Sequence, residues 1–202
     1  MGAGGNPGSS SDNKTNVNGG GGNDMLFVAN CQIYCFHCDS MIKVLEKGIL
    51  INKKISQIKK GDQVLTYNGK MKIFSKVTKN LKNEGLFEFY TIKCKDSKSN
   101  IKSISVTGNH TMIIYGKKMD EIKFKYANQV KIGDQFLTTD GLFEVYEIKN
   151  EMIYGSYEMR VENGTVLAND ILVSTLYLEK NEVRKYNKKK SNSIRNKIEI
   201  LN

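Results

Sequence analysis

The chain has no tryptophan, one proline and only two histidines in 202 residues. Each shortage excludes something. The proline, Pro7, lies in the leader, so residues 49–178 run free of proline through a stretch rich in Ile, Val, Leu, Phe, Tyr and Thr, which suits long β-ladders. The two histidines, His37 and His110, confine imidazole acid–base chemistry to two places. The apolar run at residues 25–29 is too short to span a membrane or to form a secretory signal core. Without such a signal, the four cysteines (Cys31, Cys35, Cys38, Cys94) are expected as free thiols, and the cytoplasm is the default compartment.

What is present supports one all-β domain with tails. A hydrophobic fraction of 39% suffices for a core. Residues 1–24 carry eight of the eighteen glycines and read as a disordered Gly/Asn/Ser leader. Gly2 invites N-myristoylation, but Asn6 stands where that motif has Ser or Thr. Residues 25–34 form a short flank able to make a strand, residues 35–178 the ordered body, and residues 179–202 a basic tail with a helical stretch around 193–201. That tail holds eight basic and three acidic residues, half the net charge of +10. With Tyr186 alone among its basic residues as an aromatic, it reads as a solvated tail, and no strong nucleic-acid or membrane partner is implied.

Within the body a segment repeats. Ile58-Lys59-Lys60-Gly61-Asp62-Gln63-Val64-Leu65-Thr66-Tyr67-Asn68-Gly69 returns as Val130-Lys131-Ile132-Gly133-Asp134-Gln135-Phe136-Leu137-Thr138-Thr139-Asp140-Gly141, with seven of twelve positions identical. Both copies give a Gly-Asp turn, an apolar strand and an Asn-Gly or Asp-Gly dipeptide that predicts a type I′ hairpin. Two related halves imply a pseudo-two-fold arrangement. Alternation and β-branching predict further strands over 41–45, 72–78, 86–93, 101–107, 111–115, 143–148 and 166–178.

The chemistry-bearing residues cluster in two segments, Cys35-Phe36-His37-Cys38-Asp39-Ser40 and Thr107-Gly108-Asn109-His110. Cysteine can act as nucleophile, histidine can move a proton, and threonine can hold a carbonyl or a nitrogen. A competing reading takes Cys31, Cys35, His37 and Cys38 as zinc ligands. Four ligands within eight residues are cramped, and Cys35 and His37 on one strand would face away from Cys38, so no metal or cofactor is expected.

These blocks resemble a known family. Cys35-Phe36-x-x-Asp39-Ser40-x-Ile42 resembles the opening of Hint domains, the self-processing module shared by hedgehog proteins and inteins. The segments at residues 58–65, Phe74-Ser75-Lys76-Val77, the Thr107-x-x-His110 block and the closing residues 164–174 follow in the family's order. The resemblance, hedgehog-type or close to bacterial-intein-like and Vint-like domains, implies an all-β disc of two pseudo-two-fold related subdomains. It implies that Cys35 attacks the Tyr34 carbonyl in an N-to-S acyl shift, that His110 protonates the departing nitrogen, and that Thr107 holds the scissile peptide. Asp39 and Glu158 are supporting candidates; Glu158 stands where inteins place an aspartate. The substrate would be the chain's own N-terminal flank, with water, a thiol or another small nucleophile as acceptor, in a single turnover.

Departures from the family narrow this. Ser174-Thr175 replaces the His-Asn that ends splicing inteins, so asparagine cyclisation is impossible there and complete splicing is not expected. Lys82 aligns with the aspartate that activates sterol in hedgehog proteins, although Asn83 or Glu84 fits after a small gap. Only the 24-residue basic tail follows the domain, which also argues against sterol transfer. Tyr34 replaces the usual hedgehog glycine and is expected to slow attack at its carbonyl. The alternative to cleavage is an inactive Hint-like binding module.

Overall fold

The computed structural model of the chain describes residues 34–68, 71–116 and 121–176. The leader, Cys31 and nearly all of the 25–34 flank, and the basic tail with its expected helical stretch lie outside the described residues.

The body is built from strands β1 (Met41–Glu46), β2 (Ile49–Lys54), β3 (Gln63–Tyr67), β4 (Lys72–Lys95), β5 (Ile101–Thr107), β6 (Thr111–Tyr115), β7 (Ile122–Tyr126), β8 (Gln135–Thr138), β9 (Gly141–Val161), β10 (Thr165–Ala168) and β11 (Ile171–Ser174). Two single-turn 3₁₀ helices, Ile55–Gln57 and Ala127–Gln129, complete it. Among the described residues no helix is long and apolar enough to cross a membrane. Strand pairing runs β10–β1–β3–β4–β9–β8–β11 and returns to its start through β10–β11, while β2, β5 and β6 attach to its members and β7 to β6. The circuit leaves its member strands paired on both sides, so that the edges fall on the short strands β2, β5 and β7.

The repeat is structural. Ser40 N–H donates to the His37 carbonyl at 3.0 Å and Ile55 N–H to the Ser40 carbonyl at 2.8 Å; the second half repeats both with His110 to Thr107 at 2.9 Å and Ala127 to His110 at 2.9 Å. Asp62 accepts from Lys59 N–H at 2.9 Å and Asp134 from Lys131 N–H at 2.8 Å. The amides of Gly61 and Gly133 reach the carbonyls of Val77 and Val145 at 2.8 and 2.9 Å. The loop bearing His37–Ser40 is thus the counterpart of the loop bearing Thr107–His110.

Several expected boundaries shift. Segments 72–78 and 86–93 are one 24-residue strand, and 143–148 is the start of a 21-residue partner. Their shared stretch between the two halves is polar and exposed, so it lacks the apolar alternation that marks a strand, yet the backbone ladder continues with a register shift between Asn83 and Leu86. Gly155, at φ +80, sits opposite that shift. Segment 166–178 breaks into β10 and β11 at Asn169-Asp170, which take φ of +48° and +65°. The strands β2 and β7 are additional; β2 is too exposed to show a period. Both dipeptides lie at hairpins; Gly69 is outside the described residues, and the Asp140-Gly141 hairpin is not a type I′ turn, since neither Thr139 nor Asp140 has positive φ. Tyr67 pairs with Lys72 across a longer loop, and Thr138 pairs with Gly141, leaving Thr139-Asp140 as the loop. Paired positive φ falls on Lys47-Gly48 and Asn169-Asp170 instead.

Apolar residues pack on both faces of several strands. Along β6, Met112 and Ile114 enter the main core while Ile113 and Tyr115 join a second cluster on the opposite face. Val166, Ala168, Ile171 and Val173 likewise face the main core, and Leu167 and Leu172 face the second.

Asn169 is a keystone of the closure: its Oδ1 accepts from Met41 N–H at 2.6 Å and its Nδ2 donates to the Ser103 carbonyl at 2.9 Å. Asn169→Ala removes both bonds and puts a residue poorly suited to positive φ at this turn, so it should cost about 2 kcal/mol, read as a lower urea midpoint. Asn169→Gly should recover only the backbone part.

Candidate functional site

The segment Cys35-Phe36-His37 is laced between β5 and β9. Phe36 and Tyr157 exchange backbone hydrogen bonds at 2.9 and 3.0 Å, and His37 N–H donates to the Ser105 carbonyl at 3.1 Å. This fixes the peptide before it. Cys35 N–H donates to the Thr107 hydroxyl at 3.0 Å, and Thr107 N–H returns a bond to the Cys35 carbonyl at 3.0 Å. Thr107 closes β5, so a strand end aims its hydroxyl at the nitrogen of the Tyr34–Cys35 bond.

The Cys35 thiol is fully buried. Asn83 Nδ2 lies 3.4 Å from Sγ. Burial pushes the thiol pKa up to about 12; the charge of Glu158 adds to the rise, while Ser156, Asn83 and Lys79 oppose it. Ser156 is itself buried, its hydroxyl facing the thiol short of a full hydrogen bond. Lys79 Nζ and Arg160 Nε donate to Glu158 at 2.7 and 2.9 Å. Burial alone would raise the Glu158 pKa, but these two cations outweigh it and hold the carboxyl below its ordinary value.

His110 is 1% exposed, its ring edge-on to Phe36 with centroids 4.6 Å apart. Its Nε2 lies 2.9 Å from the Ser174 carbonyl, which can only accept, so Nε2 carries the hydrogen. Nδ1 is buried without a hydrogen-bond partner among the described residues. Burial lowers the imidazole pKa to about 4, against the weaker pull of the Ser174 and Cys35 backbone. The ring is therefore neutral near pH 7, with Nδ1 unbonded among the described residues and the Cys35 backbone near the ring.

Cys35, Thr107, His110 and Glu158 are thus brought together; Asp39 is not. Its carboxylate is exposed and accepts from Lys54 Nζ at 2.6 Å. Of the zinc quartet, Cys31 lies outside the described residues, and the Cys35 thiol faces Asn83 and does not join His37 and Cys38. His37, Cys38 and Asp39 do group, with ligand atoms within 4.8 Å of one another. Their atoms are partly used, since His37 Nδ1 accepts from Asp39 N–H at 3.2 Å. Cys94 is buried and donates to the Lys102 carbonyl at 3.6 Å, in keeping with a packing role. Lys82 pairs with Glu84 at 2.5 Å on the surface, and the neighbouring Asn83 is the residue that meets the thiol. The sequence reading missed Ser156 and the Ser174 carbonyl. Ser156 could have been found only from its place two residues before Glu158; a main-chain carbonyl leaves no trace in residue types.

Iodoacetamide at pH 8 should therefore alkylate half-exposed Cys38 well before buried Cys35 and Cys94, as peptide mapping by mass spectrometry would show. A second expectation concerns acid. His110 takes up a proton near pH 6.5 when unfolded but only near 4 when folded. Its contribution is whole above pH 6.5, and about 3 kcal/mol of stability drains away as pH falls toward 4. Urea midpoints at pH 7 and pH 4 should differ less in His110→Gln than in the wild type.

Comparison with known proteins identifies the fold and the family. A family model described as the Hint module matches residues 26–184. Among solved structures, an intein from a hyperthermophile is similar with a TM-score of 0.60 at 13% identity, over 70% of this chain and 99% of that one. A bacterial intein-like domain from Clostridium thermocellum gives 0.56 at 22% identity over 70% and 99%. A DnaB intein from Synechocystis sp. PCC 6803 gives 0.56 at 15% over 71% and 99%. No curated protein matches the sequence. The structural likenesses carry the fold, and the family match spans most of the sequence: this chain belongs to the Hint family, whose intein-like members process themselves.

Proposed function

We propose that the chain cuts its own Tyr34–Cys35 peptide bond by an N-to-S acyl shift, followed by hydrolysis or transfer of the acyl group, without complete splicing. The observation that carries this reading is the Cys35 N–H held on the Thr107 hydroxyl at 3.0 Å beside a buried imidazole with a free Nδ1.

The steps follow from protonation states. A thiol with a pKa near 12 is not a thiolate at neutral pH, so its proton must leave as it attacks. Neutral His110, anchored through Nε2–H on Ser174, offers Nδ1 as the acceptor. Sγ bonds to the Tyr34 carbonyl carbon. The proton then passes from Nδ1 to the Cys35 nitrogen as the C–N bond breaks, because an unprotonated amide nitrogen is a poor leaving group. Thr107 holds that nitrogen while it loses planarity. The product is a Tyr34 thioester on Cys35 and a free Cys35 amine. Water or a thiol next adds to the thioester and displaces Sγ, which regains its proton. Glu158, kept anionic by Lys79 and Arg160, is placed to accept the proton of the incoming acceptor. No cofactor enters this scheme.

The far end of the domain supports cleavage over splicing. Thr175 occupies the place of the cyclising asparagine; its N–H donates to the Gly164 carbonyl at 2.8 Å, and its hydroxyl accepts from Val161 N–H at 3.4 Å. It has no side-chain amide with which to attack its own carbonyl.

The expressed chain should separate on a denaturing gel into residues 1–34 and 35–202, faster with dithiothreitol, with masses fitting a Tyr34 acid or its thiol adduct. Cys35→Ala should abolish cleavage, and His110→Ala should slow the first step severely. Thr107→Ala should slow it about tenfold, the value of one buried hydrogen bond. A wild-type chain that stays intact with and without thiol would overturn the proposal in favour of an inactive module.

A further inference from the structure

The second apolar cluster lies on the sheet face turned away from the main core, a face that in most antiparallel sheets is polar and wet. Here it is aromatic and dry. Ile113, Tyr115, Phe124, Tyr126 and Leu172 are each 7% exposed or less, and burial together with the neighbouring Tyr67 pushes the Tyr115 hydroxyl pKa up to about 12. Tyr34 packs against this cluster, as do Tyr67, Ile122 and Leu142. The residue so seated supplies the carbonyl of the scissile bond.

We infer that this cluster is a recognition cup for the side chain on the acyl side of the cut, selecting an aromatic residue at position 34. The inference rests on the cleavage reading and names its acyl-donor class. The seat also removes the expected handicap of a bulky residue at this position. With its ring packed against the cluster, Tyr34 is tethered on one side of the bond while Thr107 holds the nitrogen on the other, so the carbonyl between them cannot turn away from Sγ. Glycine at position 34 would leave that side of the peptide unanchored. Phenylalanine fills the same volume and should serve nearly as well.

The test compares dithiothreitol-induced cleavage of the full chain carrying Tyr, Phe, Ala or Gly at position 34, with Tyr67 intact or as Tyr67→Ala. Circular dichroism melts in a Cys35→Ala background confirm that each protein is folded at the assay temperature. Tyr34→Phe should cleave within about twofold of wild type, and Tyr34→Ala and Tyr34→Gly about tenfold slower, the value of a half-buried ring. Tyr67→Ala should shrink the advantage of tyrosine over glycine, a coupling that a general loss of stability would not produce. Folded Tyr34→Gly protein that cleaves as fast as wild type, or a tyrosine advantage untouched by Tyr67→Ala, would overturn the cup and leave the cleavage reading standing. Failure of every variant and of wild type to cleave would overturn both.

Discussion

Everything at this site depends on how the Cys35 peptide is held. Two antiparallel hydrogen bonds tie Cys35 to Thr107, one through the main chain and one through the threonine hydroxyl. The first is an ordinary ladder bond. The second substitutes a side-chain oxygen for a carbonyl, and that changes what the nitrogen can do. A carbonyl acceptor would favour a planar, conjugated amide. A hydroxyl can accept the N–H and later donate as the nitrogen gains a lone pair, so the same contact would serve before and after the proposed cleavage.

Burial then assigns the remaining roles. Both groups are taken out of water in their neutral forms: the thiol because Ser156, Asn83 and Lys79 offset only part of its burial, the imidazole because the backbone of Ser174 and Cys35 offsets only part of its own. Two neutral groups cost less to bury than an ion pair. The arrangement is stable at rest, and charge appears only during the transfer. The ion-paired Glu158 lies at the margin, where its charge is supported by Lys79 and Arg160.

The parts of this fold that were legible in the sequence are those in which residue type and backbone demand coincide. The Gly-Asp turns could be read because Asp62 and Asp134 cap their own loops, a job few residues perform. Cys35, Thr107 and His110 could be read because spacing and order fix them together. The long β4–β9 ribbon was invisible, since its middle is held by main-chain pairing without an apolar face. With the ribbon went Asn83 and Ser156, whose approach to the thiol depends on where the register slips. Asn169-Asp170 read as strand because neither residue is glycine, yet asparagine and aspartate tolerate the left-handed region better than other side chains do.

The circuit of strand pairing has a consequence for timing. Cys35 precedes every strand of the described domain, but the surroundings of its thiol and of His110 are completed by Ser156, Glu158 and the carbonyl of Ser174, contributed from β9 and β11. A ribosome adding residues at ordinary speed delivers Ser174 roughly 7–30 s after Cys35. Until β10 and β11 dock, the circuit is open and the imidazole has nothing to orient it. The closure of the circuit would therefore also act as a clock: under the proposed cleavage, the Tyr34–Cys35 bond is synthesised before the domain and cannot be addressed until nearly all of it has been made.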